Sequence, residues 1–213
     1  MSEKRDSQGG YQAIHDNLMR RLAGAPLAAN AQRLGLRLEA GEVEVLFLGQ
    51  PHRVGQGWVR GADGHPAPIV VASIIAGYLL TGEGGETIGR FVPLKALAGT
   101  GSGHGSFQQN ALAAPLVKRF NGRSEALCAA ARRLGGRLGG EAGSGGISLI
   151  FDVLSRVPLQ LVFYDSDEEF PAEVNFLLDL SATRFLEYEY LAVMLTAFVK
   201  ALLAADRLSS ENQ

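Results

Sequence analysis

Cysteine is nearly absent from this sequence, which has one among 213 residues. A single thiol excludes an internal disulfide, and it excludes a zinc finger or an iron–sulfur cluster bound only by cysteines of this chain. Cys128 lies in the alanine-rich run EALCAAARRLGG, which is typical of a helix. We therefore interpret it as a small buried hydrophobe rather than a reactive thiol.

An excess of basic residues is also lacking, since 20 Lys and Arg stand against 22 Asp and Glu and the net charge is −2. Proteins that bind nucleic acid cluster positive charge on one face, so this balance predicts no nucleic-acid partner. The nearest approach to such a face is a set of arginines on one predicted helix and its exit, which we interpret as a solvated helix surface. They are Arg119, Arg123, Arg132, Arg133 and Arg137.

Long hydrophobic runs are missing as well. The longest apolar stretch, residues 69–80, is shorter than the about 20 residues that span a bilayer. The N-terminal segment MSEKRDSQGGYQ is polar and lacks the apolar core of a signal peptide. We therefore expect a soluble, cytoplasmic protein without a membrane partner.

What is present is the composition of a globular chain, with 46% hydrophobic and 20% charged residues. Apolar periodicity predicts helices, and alternation of apolar and polar residues predicts strands. The predicted helices span residues 11–22, 26–34, 69–80, 107–120, 124–134 and 187–203. The predicted strands span residues 42–48, 52–59, 147–154, 159–164 and 174–178, and residues 90–93 are predicted to be extended.

These elements predict an α+β fold with a mostly antiparallel sheet, a C-terminal three-strand meander, a helical middle region and a long C-terminal helix. Residues 11–205 are expected to form a single α+β domain, because a chain of this length suits one domain. Residues 1–10 are expected to be a disordered N-terminus, and residues 206–213 a frayed tail.

Two glycine-rich segments, residues 82–89 and 98–106, lack nucleotide-binding motifs. Neither ends in the Gly-Lys-Ser/Thr of a P-loop, and GSGHGS misses the final glycine spacing of a dinucleotide fingerprint. We interpret both as mobile surface loops and predict no cofactor. The histidines His15, His52, His65 and His104 include no pair at the i, i+4 spacing of a helical metal site, although His52 and His65 flank one predicted hairpin.

The most informative segment is an acidic turn between two predicted strands. It contains Asp165, Asp167, Glu168 and Glu169 and is closed by Phe170 and Pro171. Three interpretations are open: the carboxylates bind a hard cation, one of them acts as an acid or base, or the aspartates cap a solvated hairpin loop. Glu187 is equally open, because the helix dipole favours a negative charge in the first turn of the terminal helix.

Several short motifs share the second half of the chain. They are Arg156-Val157-Pro158, Asp167-Glu168-Glu169-Phe170-Pro171, Leu178-Asp179 and Glu187. Together with Tyr78-Leu79-Leu80, residues 107–120 and Leu134-Gly135-Gly136, they resemble an uncharacterised prokaryotic family called domain of unknown function 3786. The resemblance extends over residues 41–203.

The resemblance implies an accessory domain of anaerobic bacteria and archaea, associated with iron–sulfur or corrinoid proteins of one-carbon metabolism. Some relatives carry a cysteine-rich cluster domain at the N-terminus; this chain lacks those cysteines, so cluster binding is not carried over. The family supplies no catalytic residues to transfer. The motifs and the acidic turn together make the candidate functional surface: Arg156, Asp165, Asp167, Glu168, Glu169, Phe170, Pro171, Asp179 and Glu187.

The leading hypothesis is a non-catalytic binding or accessory protein that presents the acidic turn to an unknown protein partner. One alternative is an enzyme that uses a carboxylate cluster near Asp167, Glu168 and Glu187 for metal or acid–base chemistry. The other is a structural subunit that forms homo-oligomers through residues 69–80 or the terminal helix. An antiparallel meander places Arg156 and Asp165 at opposite ends of its middle strand, which argues against one compact site containing both.

Overall fold

A computed structural model describes residues 3–98, 109–140 and 145–210 of the chain. The helices are α1 Glu3–Ala23, α2 Leu27–Leu34, α3 Ile69–Thr81, α4 Gln109–Phe120, α5 Ser124–Arg133, α6 Ala182–Phe185 and α7 Tyr188–Ser210, with a 3-10 turn at Leu94–Leu97. The strands are β1 Arg37–Glu39, β2 Glu42–Phe47, β3 Gln50–Gly55, β4 Trp58–Gly61, β5 Phe91–Pro93, β6 Arg137–Leu138, β7 Ile147–Leu154, β8 Val157–Tyr164 and β9 Glu173–Asp179.

The first sheet is an antiparallel meander in the order β1-β2-β3-β4. Its strands alternate as a half-buried sheet requires, because successive side chains point to opposite faces. On β2, Val43, Val45 and Phe47 are buried, whereas Glu42 and Glu44 lie on the outer face. One face of this sheet therefore belongs to the core, and the other carries charge to solvent.

The second sheet has the order β5-β9-β8-β7-β6, and all its pairings are antiparallel. Its centre is the three-strand meander predicted for the C-terminal half, which is confirmed. The two sheets meet where the Leu48 N–H, at the turn between β2 and β3, donates to the Val153 carbonyl of β7 at 3.0 Å.

Helix α3 is apolar nearly all round and lies between α1, α2, α7 and the first sheet. Its residues from Ala72 to Leu79 are buried, as the pattern predicted for a helix enclosed on every side. The long helix α7 packs on α5, α3 and α4. Its Phe198 ring meets Phe151 of β7 edge-on at 4.7 Å and Phe176 of β9 at 6.3 Å between centroids. The α+β class is thus confirmed.

Several boundaries differ from the predictions. Helix α1 begins at Glu3, so residues 3–10, predicted to be disordered, are helical. The strand predicted over 52–59 is two strands joined at Gln56 and Gly57. Helix α4 includes Pro115 and ends at Phe120, as predicted; this proline is exposed, so water can satisfy the carbonyl that loses its partner.

The C-terminal tail shows the largest difference between a predicted and an observed boundary. Helix α7 continues to Ser210, whereas a frayed tail was predicted from residue 206. Asp206 is only 1% exposed. A charged residue that is buried so completely must be paired, and its partners lie far away in the sequence.

Candidate functional site

The tip of the acidic loop between β8 and β9 is closed by one carboxylate. The Asp167 Oδ1 atom accepts the backbone N–H groups of Glu169 at 2.8 Å and Phe170 at 2.7 Å. The Asp167 N–H donates in turn to the Phe170 carbonyl at 3.0 Å. These bonds form the local turn that aspartate favours, as in the capping interpretation of this segment.

The base of the same loop is attached to the turn between α4 and α5. The carboxylate of Asp165 accepts the Gly122 N–H at 2.6 Å and the Ser124 hydroxyl at 3.1 Å. The Ser166 N–H donates to the Asn121 side-chain oxygen at 3.1 Å. Both aspartates therefore hold the loop in place, and Glu168 and Glu169 are left to present negative charge to solvent.

Phe170 lies at the end of this braced loop with 66% of its surface exposed. Beside it is an open depression of about 760 Å³, lined in part by Tyr164, Pro171 and Glu173. A single exposed aromatic residue is not unusual. Here, however, the backbone is already fixed by Asp167, so little conformational freedom remains to be lost when the ring is buried by a partner.

Arg156 lies at the other end of β8. Strand β8 lies between Arg156 and Asp165 and is roughly 23 Å long, at about 3.3 Å per residue. The Arg156 guanidinium pairs with Glu86, whose side chain is 82% exposed. Arg156 and the acidic loop therefore do not form one compact site, as the meander predicted.

Next to Arg156, the buried Tyr78 hydroxyl is within 2.8 Å of the Ser155 hydroxyl. Burial raises the pKa of Tyr78, although the Ser155 hydrogen bond and the charge of Arg156 oppose the shift. Tyr78 is thus a neutral residue that joins α3 to the turn between β7 and β8.

Two substitutions distinguish these contacts. We expect Glu86→Gln to change the free energy of unfolding by no more than about 0.5 kcal/mol, because Glu86 is exposed and surface pairs contribute little. We expect Tyr78→Phe to cost about 0.5–1.5 kcal/mol through the lost hydrogen bond. Urea denaturation of both variants measures the difference, and a larger loss for Glu86→Gln would show that the ion pair holds the Arg156 turn.

Asp179, a candidate surface residue, is fully buried at the end of β9. It accepts the backbone N–H groups of Ile88 at 3.1 Å, Gly89 at 2.6 Å and Ser181 at 2.9 Å, together with the Ser181 hydroxyl. Burial alone would raise the pKa of this carboxyl, but the bonds from Ser181, Ile88 and Gly89 outweigh it and hold the pKa below its ordinary value.

The same contacts correct the interpretation of residues 82–89 as a mobile loop. Asp179 holds one end of this segment. Arg184 holds the other, because it pairs with Glu83 at 3.3 Å and donates to the Gly84 carbonyl at 3.0 Å. Asp179 is therefore part of an internal clamp and is not exposed to a ligand. The second glycine-rich segment, 98–106, includes residues outside the described ranges.

Glu187 is exposed just before α7, and its carbonyl accepts the Leu191 N–H at 3.0 Å. Because β9 runs antiparallel to β8, the segment after Asp179 lies at the Arg156 end of the sheet. Glu187 is thus separated from Asp167 and Glu168 by the length of the strands, and the three do not form the carboxylate cluster of the enzyme hypothesis.

The histidines within the described ranges and the cysteine do not assemble into a metal site. Among the described residues, no group of three or more His, Cys, Asp or Glu side chains is arranged to hold a metal ion. His52 is buried, and burial lowers its pKa, although the Gln50 carbonyl and Asp63 act in the opposite direction. His15 lies 3.4 Å from the Ser73 hydroxyl, and Cys128 is half-buried. His104 is outside the described residues.

The arginines interpreted as a solvated helix face have structural partners. Arg119 forms an ion pair with Asp206, and Arg123 lies 3.6 Å from the same carboxylate. Arg133 donates to the Ala205 carbonyl at 2.9 Å. Three of the five therefore connect α4 and α5 to the end of α7, where the sequence pattern had suggested only solvent.

The sequence pattern of a domain of unknown function, DUF3786, matches residues 26–201. The chain belongs to the DUF3786 family. No curated protein and no solved structure matches it. The resemblance seen in the motifs is thus confirmed. Within the described ranges, no helix is long and apolar enough to cross a membrane.

The DUF3786 match covers every candidate surface residue from Arg156 to Glu187 and ends before Asp206. Sequence reasoning missed the roles of Glu86, Tyr78 and Asp206. Tyr78 had one usable signal, because a tyrosine within a wholly apolar helix needs a buried partner for its hydroxyl. Asp206 had another, because it follows Leu202 by four residues and so extends the buried face of α7.

Proposed function

We propose that this DUF3786 protein is a non-catalytic binding or accessory protein, and that the acidic loop 165–171 is its binding surface. The observation that carries the proposal is the exposure of Phe170 on a loop already closed by Asp167. Aromatic anchors on preorganised backbone contribute strongly to protein interfaces. The same hydrogen bonds give the aspartates a structural use, which favours binding over acid–base chemistry.

The chemistry of the loop defines the partner. A complementary surface has an apolar pocket for the Phe170 ring and basic residues around it for Glu168 and Glu169. The family resemblance implies an iron–sulfur or corrinoid protein of anaerobic one-carbon metabolism as the first partner to test. The rim charges are expected to accelerate association and to make it sensitive to salt.

The test replaces Phe170 with the photo-crosslinking residue p-benzoylphenylalanine in the full chain, expressed in its native host. The matched control carries the same residue at Leu138, which is 73% exposed on β6. We expect one dominant adduct that is specific to position 170. The captured protein, once purified, should bind the wild-type chain at least about tenfold more tightly than Phe170→Ala, as for an aromatic hot spot.

Three outcomes contradict the proposal. The same adducts from both positions would indicate nonspecific contact. Equal affinity of the purified partner for Phe170→Ala would exclude the ring as an anchor. An adduct of twice the 22.6 kDa chain mass would show that the loop binds a second copy, which favours the homo-oligomer alternative.

A further inference from the structure

The outer face of the first sheet contains a depression of about 420 Å³, far from the acidic loop in the sequence. It is formed by β2, β3, β4 and the turn that follows β4. Its lining includes Glu42, Glu44, Pro51, Arg53, Trp58 and Arg60. These residues lie on paired antiparallel strands, so their backbone positions are set by the sheet.

A three-layer stack forms the floor. The Trp58 indole lies over Gly55, its direct partner across the strands, so closely that a Cβ at residue 55 would be 2.2 Å from the ring. The Arg60 guanidinium lies 4.6 Å from the Trp58 ring centroid. Cation–π contact restricts the freedom of the guanidinium group, and a guanidinium can bind a carboxylate through two parallel hydrogen bonds.

The charges of the depression are balanced but incompletely paired. Arg53 forms an ion pair with Glu42 at 3.0 Å. Within the described residues, Arg60 and Glu44 form no ion pair. They lie in register on either side of Arg53, on strands about 10 Å apart. The lining therefore offers one cation and one anion to a ligand, and it has no net charge.

We propose that this depression binds a free α-amino acid with an apolar side chain. The ligand carboxylate pairs with Arg60, its ammonium group pairs with Glu44, and its side chain lies against Trp58. A zwitterion matches the neutral lining. A dianion such as a phosphate ester is disfavoured, because Glu42 and Glu44 repel it.

Trp58 is the only tryptophan of the chain, so its fluorescence reports directly on this depression. The full chain is titrated with L-leucine, N-acetyl-L-leucine, L-leucinamide and inorganic phosphate. We expect a saturable change with L-leucine. Each blocked derivative should bind about tenfold or more weakly, because it loses one charge-assisted hydrogen-bonded pair. Phosphate should give no saturable change.

Variants assign the two charges. Arg60→Met and Glu44→Gln are each expected to weaken L-leucine binding by about 10–100-fold. Arg37→Met is the matched control. Arg37 is the partner of Glu44 across β1 and β2, and its side chain is 66% exposed, but it does not line the depression. Thermal melting of each variant checks that it remains folded.

The proposal is overturned by any of three results. One is the absence of a saturable response to L-leucine up to about 10 mM, since affinities weaker than about 1 mM correspond to little specific binding energy. The second is equal binding of leucinamide or phosphate. The third is an equal loss of affinity in Arg37→Met and Arg60→Met. None of these results bears on the Phe170 loop, so the two proposals fail separately.

Discussion

Replacing Asp179 with alanine is expected to lower the free energy of unfolding by about 3–5 kcal/mol, because each buried donor left without its acceptor costs about 1–3 kcal/mol. The carboxylate accepts four hydrogen bonds, and alanine would leave the N–H and the hydroxyl of Ser181, a residue only 1% exposed, without their acceptor. Urea denaturation followed by circular dichroism measures the loss. Faster hydrogen exchange at Ile88 and Gly89 would locate it.

The pH dependence of stability gives an independent check on Asp179. Its pKa in the folded protein lies below the ordinary 3.8, so the unfolded chain takes up the proton at a higher pH. The stabilisation is therefore complete above the ordinary pKa and is lost as the pH falls through the lower, folded-state pKa. We expect the stability difference between wild type and Asp179→Asn to be constant from about pH 7 to 5 and to shrink below about pH 4.

Asp152→Ala is the matched control for this prediction. Asp152 lies on β7 of the same sheet and pairs with Arg137 at 2.8 Å, but its side chain is 57% exposed. Its replacement should cost less than about 1 kcal/mol. If Asp179→Ala destabilised the protein as little as Asp152→Ala, the Asp179 carboxylate would not be a structural clamp. Asp179 would then again be a candidate for binding a ligand.

The second large effect is expected at the end of α7. Asp206→Ala should cost about 2–4 kcal/mol, somewhat less than a fully buried pair, because the Arg119 side chain is 38% exposed and water can compensate it. The measurement is again urea denaturation. The variant tests whether residues beyond the DUF3786 match at 201 belong to the folded unit.

A double-mutant cycle separates the ion pair from the packing of the helix end. Arg119→Met alone leaves the Asp206 carboxylate with Arg123 at 3.6 Å. We expect the two substitutions to be coupled by about 1–3 kcal/mol, as for residues in one network. Strict additivity would mean that Asp206 stabilises α7 without Arg119, through its other contacts such as the one with Arg123.

The elements that were easiest to predict have strong local patterns. The strands of the meander combine apolar alternation with turn residues, and α3 has a continuous apolar run that only a buried position accommodates. Strands β1 and β6 were missed because they have three and two residues, too few for a period to be recognised. They exist because a neighbouring strand offers an edge to pair with.

The site residues also divide into those whose contacts are local in the sequence and those whose contacts are long-range. The turn chemistry of Asp167 is local, since its acceptor and donors lie within three residues, and the sequence alone allowed that interpretation. The contacts of Asp179 span about ninety residues of chain, to Ile88 and Gly89. No periodicity or motif connects such distant positions.

By itself, the sequence determined the family, the α+β class, the antiparallel meander and the separation of Arg156 from Asp165, because each depends on local pattern or on strand direction. Only the tertiary structure decided which charged residues are available to a ligand. Asp179 and Asp206 are buried and bound to partners far away in the sequence, so both stabilise the fold: Asp179 through hydrogen bonds and Asp206 through an ion pair. The fixed loop leaves Phe170 exposed, and the pairing of β2, β3 and β4 brings Glu44 and Arg60 to one depression. Burial and pairing of these residues depend on how helices and strands that are distant in the sequence pack against each other, and a local sequence pattern does not determine that.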